Sequence, residues 1–219
     1  MQRKLEPEVM DTWEDAVEYD SMDFAEVNSA FAVRAAEIGP TDGLVLDAGT
    51  GTARIPILMA NMRQGWRIIG IDLSKNMLLV GARNVETAKL AERVELQFVD
   101  AKKLPYVDHH FDMVVSNSIV HHIPDPLLFL REVGRVLKPG GALLIRDLLR
   151  PVDEKSLNAL VATIGPEYDE HQKALFRDSL HASFTIDEVY SLSKTAGLAE
   201  VRVYQSSDRH WTLERSYGT

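Results

Sequence analysis

The sequence predicts an α/β protein, a doubly wound and mostly parallel sheet of seven strands with an antiparallel final strand and helices on both faces. Three observations carry this. Short aliphatic runs alternate with helical patterns, as in strand–helix–strand units. The last two β-rich runs are joined by a turn too short for a parallel crossover. A glycine-bearing loop follows the first run, where ligands of open parallel sheets bind.

Taken in order, the parallel strands are expected at Leu44–Leu46, Ile68–Ile71, Val94–Val99, Phe111–Val115 and Ala142–Ile145. Three of these are continuously apolar and Phe111–Val115 is broken only by Asp112, as strands covered on both faces should nearly be, whereas 94-VELQFV-99 alternates more. Before the fifth run comes the clearest helix, with Asp125 to cap it, Pro126 in its first turn, and Leu127, Leu130, Val133 and Leu137 at helical spacing. Lys138-Pro139-Gly140-Gly141 is expected to stop it. A second helix starts at the capping box 185-TIDE-188 and ends near Gly197. Residues 198–205 and 209–216 then read as an antiparallel pair around Ser206-Ser207-Asp208. The whole is expected to be one domain: a helical cap over 1–43, a ligand-binding core over 44–149, a helical lid over 150–184, and a terminal helix and strand pair over 185–219.

Composition sets the bounds. With 219 residues, 45% hydrophobic and 26% charged, the chain can bury a sizeable core. The net charge of −9, from 33 acidic and 24 basic side chains, gives a nucleic-acid backbone no long-range attraction. There is no cysteine, which removes disulfides, thiolate nucleophiles and sulfur-ligated zinc, and no metal site is assigned. No apolar run approaches the roughly 18 residues of a membrane span, and the N-terminal residues lack a signal-peptide pattern, so the cytoplasm is the expected location.

The stretch 44-LVLDAGTGTARIP-56 raises the functional question. Gly49 and Gly51 allow a ligand to touch backbone, and the helix beginning near Arg54 aims free amides at the same place. A dinucleotide fingerprint would have glycine where Arg54 stands, so pyrophosphate binding is disfavoured. Asp47 would repel a diphosphate and attract an ammonium or sulfonium. Asp72, at the end of 70-GIDLS-74, can accept from ribose hydroxyls. Asp100 can accept from the exocyclic amine of adenine, with the amide of Ala101 donating to its ring. One cationic adenosine ligand without phosphate satisfies all three acids.

The motifs LDAGTG, GIDLSKNML, FVDAKKLPYVDHHFDMVVSNSIVHHI and FLREVGRVLKPGG, spanning about residues 40–149, closely resemble those of the class I S-adenosylmethionine-dependent methyltransferases. The branch is the small-molecule one with the methyltransferase domain 11 pattern. The resemblance implies a Rossmann-like sheet, S-adenosylmethionine as cofactor and S-adenosylhomocysteine as product. It implies that Asp47, Ala48, Gly49, Thr50 and Gly51 surround the methionine part, Asp72 holds the ribose, Leu73 packs on the adenine, and Asp100 with Ala101 reads its edge. Asn117 and Ser118, in the adenine and substrate region, are also expected to contact the cofactor. They do not form the Asn-Pro-Pro-aromatic motif of enzymes that methylate bases or glutamine. Ala53 stands where the family's first motif often has a third glycine.

Methyl transfer from a sulfonium needs alignment above all, which can be worth about 7–11 kcal/mol, and a base only if the acceptor arrives protonated. By analogy with phosphobase N-methyltransferases, His122 is the first candidate base and His121 the second, with Tyr19 as partner or lid. Trp13, Tyr168, His171, Phe176, Arg177 and His181 are further candidates for acceptor recognition, and Arg146, Asp147 and Arg150 for a salt bridge after the fifth strand. The partner is expected to be a small-molecule acceptor of unspecified O, N or C nucleophile. The sequence is silent on oligomeric state. A nucleotide-dependent oxidoreductase and a non-catalytic S-adenosylmethionine-binding protein are the competing readings.

Overall fold

The computed structural model describes residues 1–6, 12–165 and 168–219. Its elements run α1 (Trp13–Ser21), α2 (Ala25–Ile38), β1 (Gly43–Ala48), α3 (Arg54–Met62), β2 (Trp66–Asp72), α4 (Lys75–Thr87), β3 (Val94–Phe98) and β4 (Phe111–Asn117). There follow α5 (Leu127–Val136), β5 (Leu137–Leu148), α6 (Glu154–Ala162), α7 (Glu170–Ala182), α8 (Ile186–Thr195), β6 (Arg202–Gln205) and β7 (His210–Arg215). The strands form one sheet in the order β3-β2-β1-β4-β5-β7-β6. β1 to β5 pair in parallel, and β7 joins β5 and β6 antiparallel. The chain winds outward from β1 through β2 to β3 and then returns to the other side of β1, so the switch point lies between β1 and β4.

Apolar side chains fill both faces of the sheet. Phe31 and Ala35 of α2 and Met59 and Ala60 of α3 pack against Val45, Ile68, Met113 and Val115. On the opposite face Phe129, Leu130 and Val133 of α5, with Val189 of α8, cover Leu46, Val114, Leu143 and Ile145. Alternate residues of one strand thus serve the two layers, which is why these strands read as continuous apolar runs. A smaller cluster joins Leu157, Val161 and Leu180 of α6 and α7 to Leu148. Another seats Ala16, Trp13 and Tyr19 of α1 on Met77 and Val80 of α4. No helix among the described residues is long and apolar enough to cross a membrane.

Local signals act as expected at the start of α8. Thr185 accepts from the Glu188 amide in a reciprocal capping box; at α5, however, the N-cap is Pro126 rather than Asp125, whose side chain only makes a local bond to the Leu127 amide. Another expectation needs correcting: Leu137 belongs to β5, not to the helix before it. Leu137 already pairs with Phe111, and the ladder resumes at Met113 and Ala142, so Lys138 to Gly141 form an irregular strand entry. Gly140 supplies the left-handed backbone at φ +68° that this detour uses. Of the described residues before β1, those of α2 belong to a core layer, whereas α1 packs on α4.

Candidate active site

The loop after β1 is bent by three left-handed residues, Gly49 (φ +78°), Gly51 (φ +53°) and Ala53 (φ +62°). The Gly49 and Thr50 amides both donate to the Ile71 carbonyl at 2.9 Å, which pulls the loop against β2. A Cβ added at Gly49 would stand 1.9 Å from Ile119 Cγ2, so the loop and the segment after β4 touch only because that side chain is absent. At Gly51 the nearest atom to an added Cβ would be Tyr19 Cε1, at 3.8 Å. Asp72 closes the arrangement: its Oδ2 accepts from the Gly51 amide at 2.8 Å and its Oδ1 from the Ser74 amide at 2.9 Å.

A cavity of about 430 Å³ opens over this loop. Of the residues expected to bind cofactor, Gly49, Gly51, Asp72, Leu73, Asp100, Ala101, Asn117 and Ser118 line it, and Tyr19 and His122 line it too. Asp47, Ala48, Thr50 and His121 are buried one layer behind. None of Trp13, Tyr168, His171, Phe176, Arg177 and His181 is among the lining residues. Glu6, Met77, Ile119, Ile123 and Pro124 are there instead. Ile119, Ile123 and Pro124 could have been found from the run after β4. Glu6 could not, because no periodicity ties it to a turn more than a hundred residues away.

Charge is distributed unevenly around the cavity. Asp47 Oδ2 is buried without a hydrogen-bond partner, and Asp47 forms no ion pair among the described residues. Burial, with the neighbouring charge of Asp72, pushes its pKa up to about 7. Burial also raises Asp72, against the amides that stabilise its charge. The Tyr19 hydroxyl is raised by burial and by the charges of Asp72 and Asp47, which suits a neutral lid better than a phenolate base. Asp100 accepts from the backbone amide and Nζ of Lys102, so a lysine stands beside this strand-end acid. Arg54 and Asp20 form a two-pronged pair, 2.8 and 2.6 Å, that ties α1 to the start of α3. Asn84 joins the same Asp20 oxygen at 3.0 Å.

The two histidines have separate surroundings. They fall in a 3₁₀ turn, Val120–His122, after β4. Asp147 of β5 accepts from the Val120 and His121 amides and meets His121 Nδ1 at 2.5 Å. Burial opposes charge on both partners, yet their attraction prevails, raising His121 and lowering Asp147. His122 is half exposed and bonds through Nδ1 to Glu6 Oε2. Glu6 Oε1 accepts from Ser179 Oγ of α7 at 2.5 Å and lies 3.9 Å from His121 Nε2. The expected salt bridge among Arg146, Asp147 and Arg150 does not form. Asp147 is taken by His121, Arg146 donates to Asn117 Oδ1 at 2.9 Å, and Arg150 pairs with Glu188. Alternating direction along the strand is the reason: neighbouring residues leave the sheet on opposite faces.

The methyltransferase-domain family model matches residues 41–207, and the chain belongs to that family. Its class is the S-adenosylmethionine-dependent methyltransferases. It is 42% identical over 108 residues to a demethylmenaquinone methyltransferase of Listeria welshimeri, a match covering 49% of this chain and 45% of that protein. It is 36% identical over 105 residues to the methyltransferase GfsG of Streptomyces halstedii, covering 48% and 37%. The matched segment thus spans less than half the length of these curated relatives. Among solved structures, a SAM-dependent methyltransferase from Aquifex aeolicus superposes with a TM-score of 0.68 at 20% identity, over 93% of this chain and 97% of that one. A phosphoethanolamine N-methyltransferase of Haemonchus contortus in complex with S-adenosyl-L-methionine gives 0.72 at 20%, over 94% and 57%.

The residues present fit that cofactor. Asp47 is a buried carboxylate lacking a cation, Gly49 and Gly51 leave backbone bare toward the cavity, and Asp72 is held by two amides at the end of β2. Leu73 is 51% exposed and lines the cavity.

Proposed function

We propose that the protein transfers a methyl group from S-adenosylmethionine to a small molecule with an apolar body and an ionisable nucleophile. The observation that carries this is the convergence of Asp72, Asp100 and the bare Gly49–Gly51 backbone on one cavity, with uncompensated Asp47 behind it. In this reading Asp47 favours the cationic methionine end through its field, Asp72 accepts from the ribose, and Leu73 with Ala101 borders the adenine. When bound, the cofactor supplies an electrophilic methyl on a sulfonium.

The chain's own part is to align and to dry the site. Ile119, Ile123 and Pro124 line the cavity beside His122 and offer an acceptor an apolar wall. Lys102 is the one lysine or arginine among the described lining residues, and Asp100 already pairs with it. A phosphate-bearing acceptor would therefore lack a dedicated cation, which favours a neutral acceptor. Where that acceptor arrives protonated, His122, oriented by Glu6, takes the proton. Tyr19 and α1 cover the methionine end of the loop.

The test is turnover with labelled S-adenosylmethionine against a panel of phenols, quinols, amines and phosphobases. Labelled methyl appearing in an apolar hydroxyl- or carbon-acid acceptor supports the reading. Cofactor binding without transfer to any acceptor would favour a non-catalytic binding protein.

A further inference from the structure

The turn that carries the two histidines gathers more chemistry than a single base needs. His121, His122 and Glu6 each offer one ligand atom, and these atoms all lie within 4.8 Å of one another. We infer that these three side chains form a binding site for a divalent transition-metal ion of the zinc type at the edge of the cavity.

Each donor is prepared for that role. Asp147 meets His121 at Nδ1, 2.5 Å away, so in a neutral ring the proton sits there and the lone pair is left on Nε2. That nitrogen points to Glu6, with 3.9 Å between Nε2 and Oε1. A carboxylate behind the far nitrogen of an imidazole is the usual outer support of a metal-bound histidine. Glu6 has its own support in Ser179 Oγ, and His122 meets the other Glu6 oxygen. Bonds of about 2.0–2.2 Å to an ion place neighbouring ligand atoms roughly 3–4 Å apart, so the 3.9 Å pair already has the spacing and the remaining contacts need only small rotations of exposed His122 and of Glu6.

Two imidazoles and one carboxylate favour zinc or another first-row ion over magnesium or calcium, which prefer oxygen alone. The local charge agrees: Glu6 and Asp147 bring two carboxylates, while Arg3 is spent on the carbonyls of His121, Ile123, Pro124 and Ala182. Three protein ligands leave a zinc ion with a position for an outside ligand, and Glu6 and His122 both border the cavity. An acceptor hydroxyl entering there would release its proton to solvent more readily beside the ion's charge. That last consequence rests on the methyl-transfer reading; the metal site does not. In the metal-loaded protein His122 is a ligand, and in the metal-free protein it is free to act as a base.

The test uses the full, tag-free chain stripped with chelator and titrated calorimetrically with Zn²⁺, and with Co²⁺ for its visible absorption. One equivalent is expected to bind, with Co²⁺ bands of a nitrogen- and oxygen-ligated ion. Glu6→Gln and His122→Ala are each expected to weaken Zn²⁺ by at least about 100-fold, since even outer-shell changes cost 10–100-fold. His171→Ala, at an exposed histidine of α7, is expected to change nothing. Binding that is absent, or equal in wild type and in the Glu6→Gln/His122→Ala double variant, overturns the site. Titration with S-adenosylmethionine alongside keeps the two readings apart: lost metal binding with intact cofactor binding removes the metal site alone.

Discussion

Asp47 is the residue at which the site's chemistry is most exposed to test. Its carboxyl holds a proton up to about pH 7, well above the ordinary carboxylate range, because burial and Asp72 disfavour its charge. Its contribution to folding is therefore present at low pH and fades as pH rises from about 4 to 7, where an unfolded chain has already released the proton. A cation in the cavity favours the ionised form, so binding should expel a proton below about pH 7 and affinity should rise with pH until it levels off there. Calorimetry at about pH 6 in buffers of different ionisation enthalpy reads this directly; no proton release would remove Asp47 from the cofactor's field. Asp72→Ala should weaken cofactor binding by at least about 100-fold, since two charge-assisted hydrogen bonds are worth about 1.5–3 kcal/mol each. Part of that loss would come through the Gly51 and Ser74 amides that Asp72 also holds.

Among the elements, the loop after β1 and the turn after β4 work as a pair. Gly49→Ala adds a methyl 1.9 Å from Ile119 Cγ2 at a backbone φ of +78°. The left-handed conformation costs about 1–2 kcal/mol and overpacking about 1–3, so chemical denaturation should show a loss of roughly 2–5 kcal/mol. A stable variant with normal cofactor binding would mean that the two segments separate freely. Arg54→Met cuts the tie from α3 to Asp20 of α1. Being a partly exposed pair, it should cost less than about 1 kcal/mol of stability, yet hydrogen exchange across α1 should quicken and cofactor affinity fall. Most of these elements were legible in the sequence because strand, cap and glycine signals are local. The capping box at Thr185 and the acids at the ends of β1, β2 and β3 are cases. The strand entry at Lys138 to Gly141 was not: proline and glycines read as a stop, and only pairing with Phe111 makes them part of β5.

In the whole molecule, the sheet's switch point between β1 and β4 brings together segments far apart in the chain, and this is where sequence reading ran out. Glu6 meets His122, Arg146 meets Asn117, and Asp147 meets His121, all by tertiary packing that no spacing in the sequence encodes. The residues proposed to hold the cofactor were readable because they follow consecutive strands, whereas the wall proposed for the acceptor brings Glu6 together with the turn after β4. The central claim is that this cavity holds S-adenosylmethionine. The most direct measurement is calorimetric titration of the protein and of Asp72→Ala with S-adenosylmethionine, S-adenosylhomocysteine and a nicotinamide dinucleotide. One site is expected for the first two ligands, lost in the variant, with no heat from the dinucleotide. Binding of the dinucleotide, or cofactor binding that survives in Asp72→Ala, would contradict the claim.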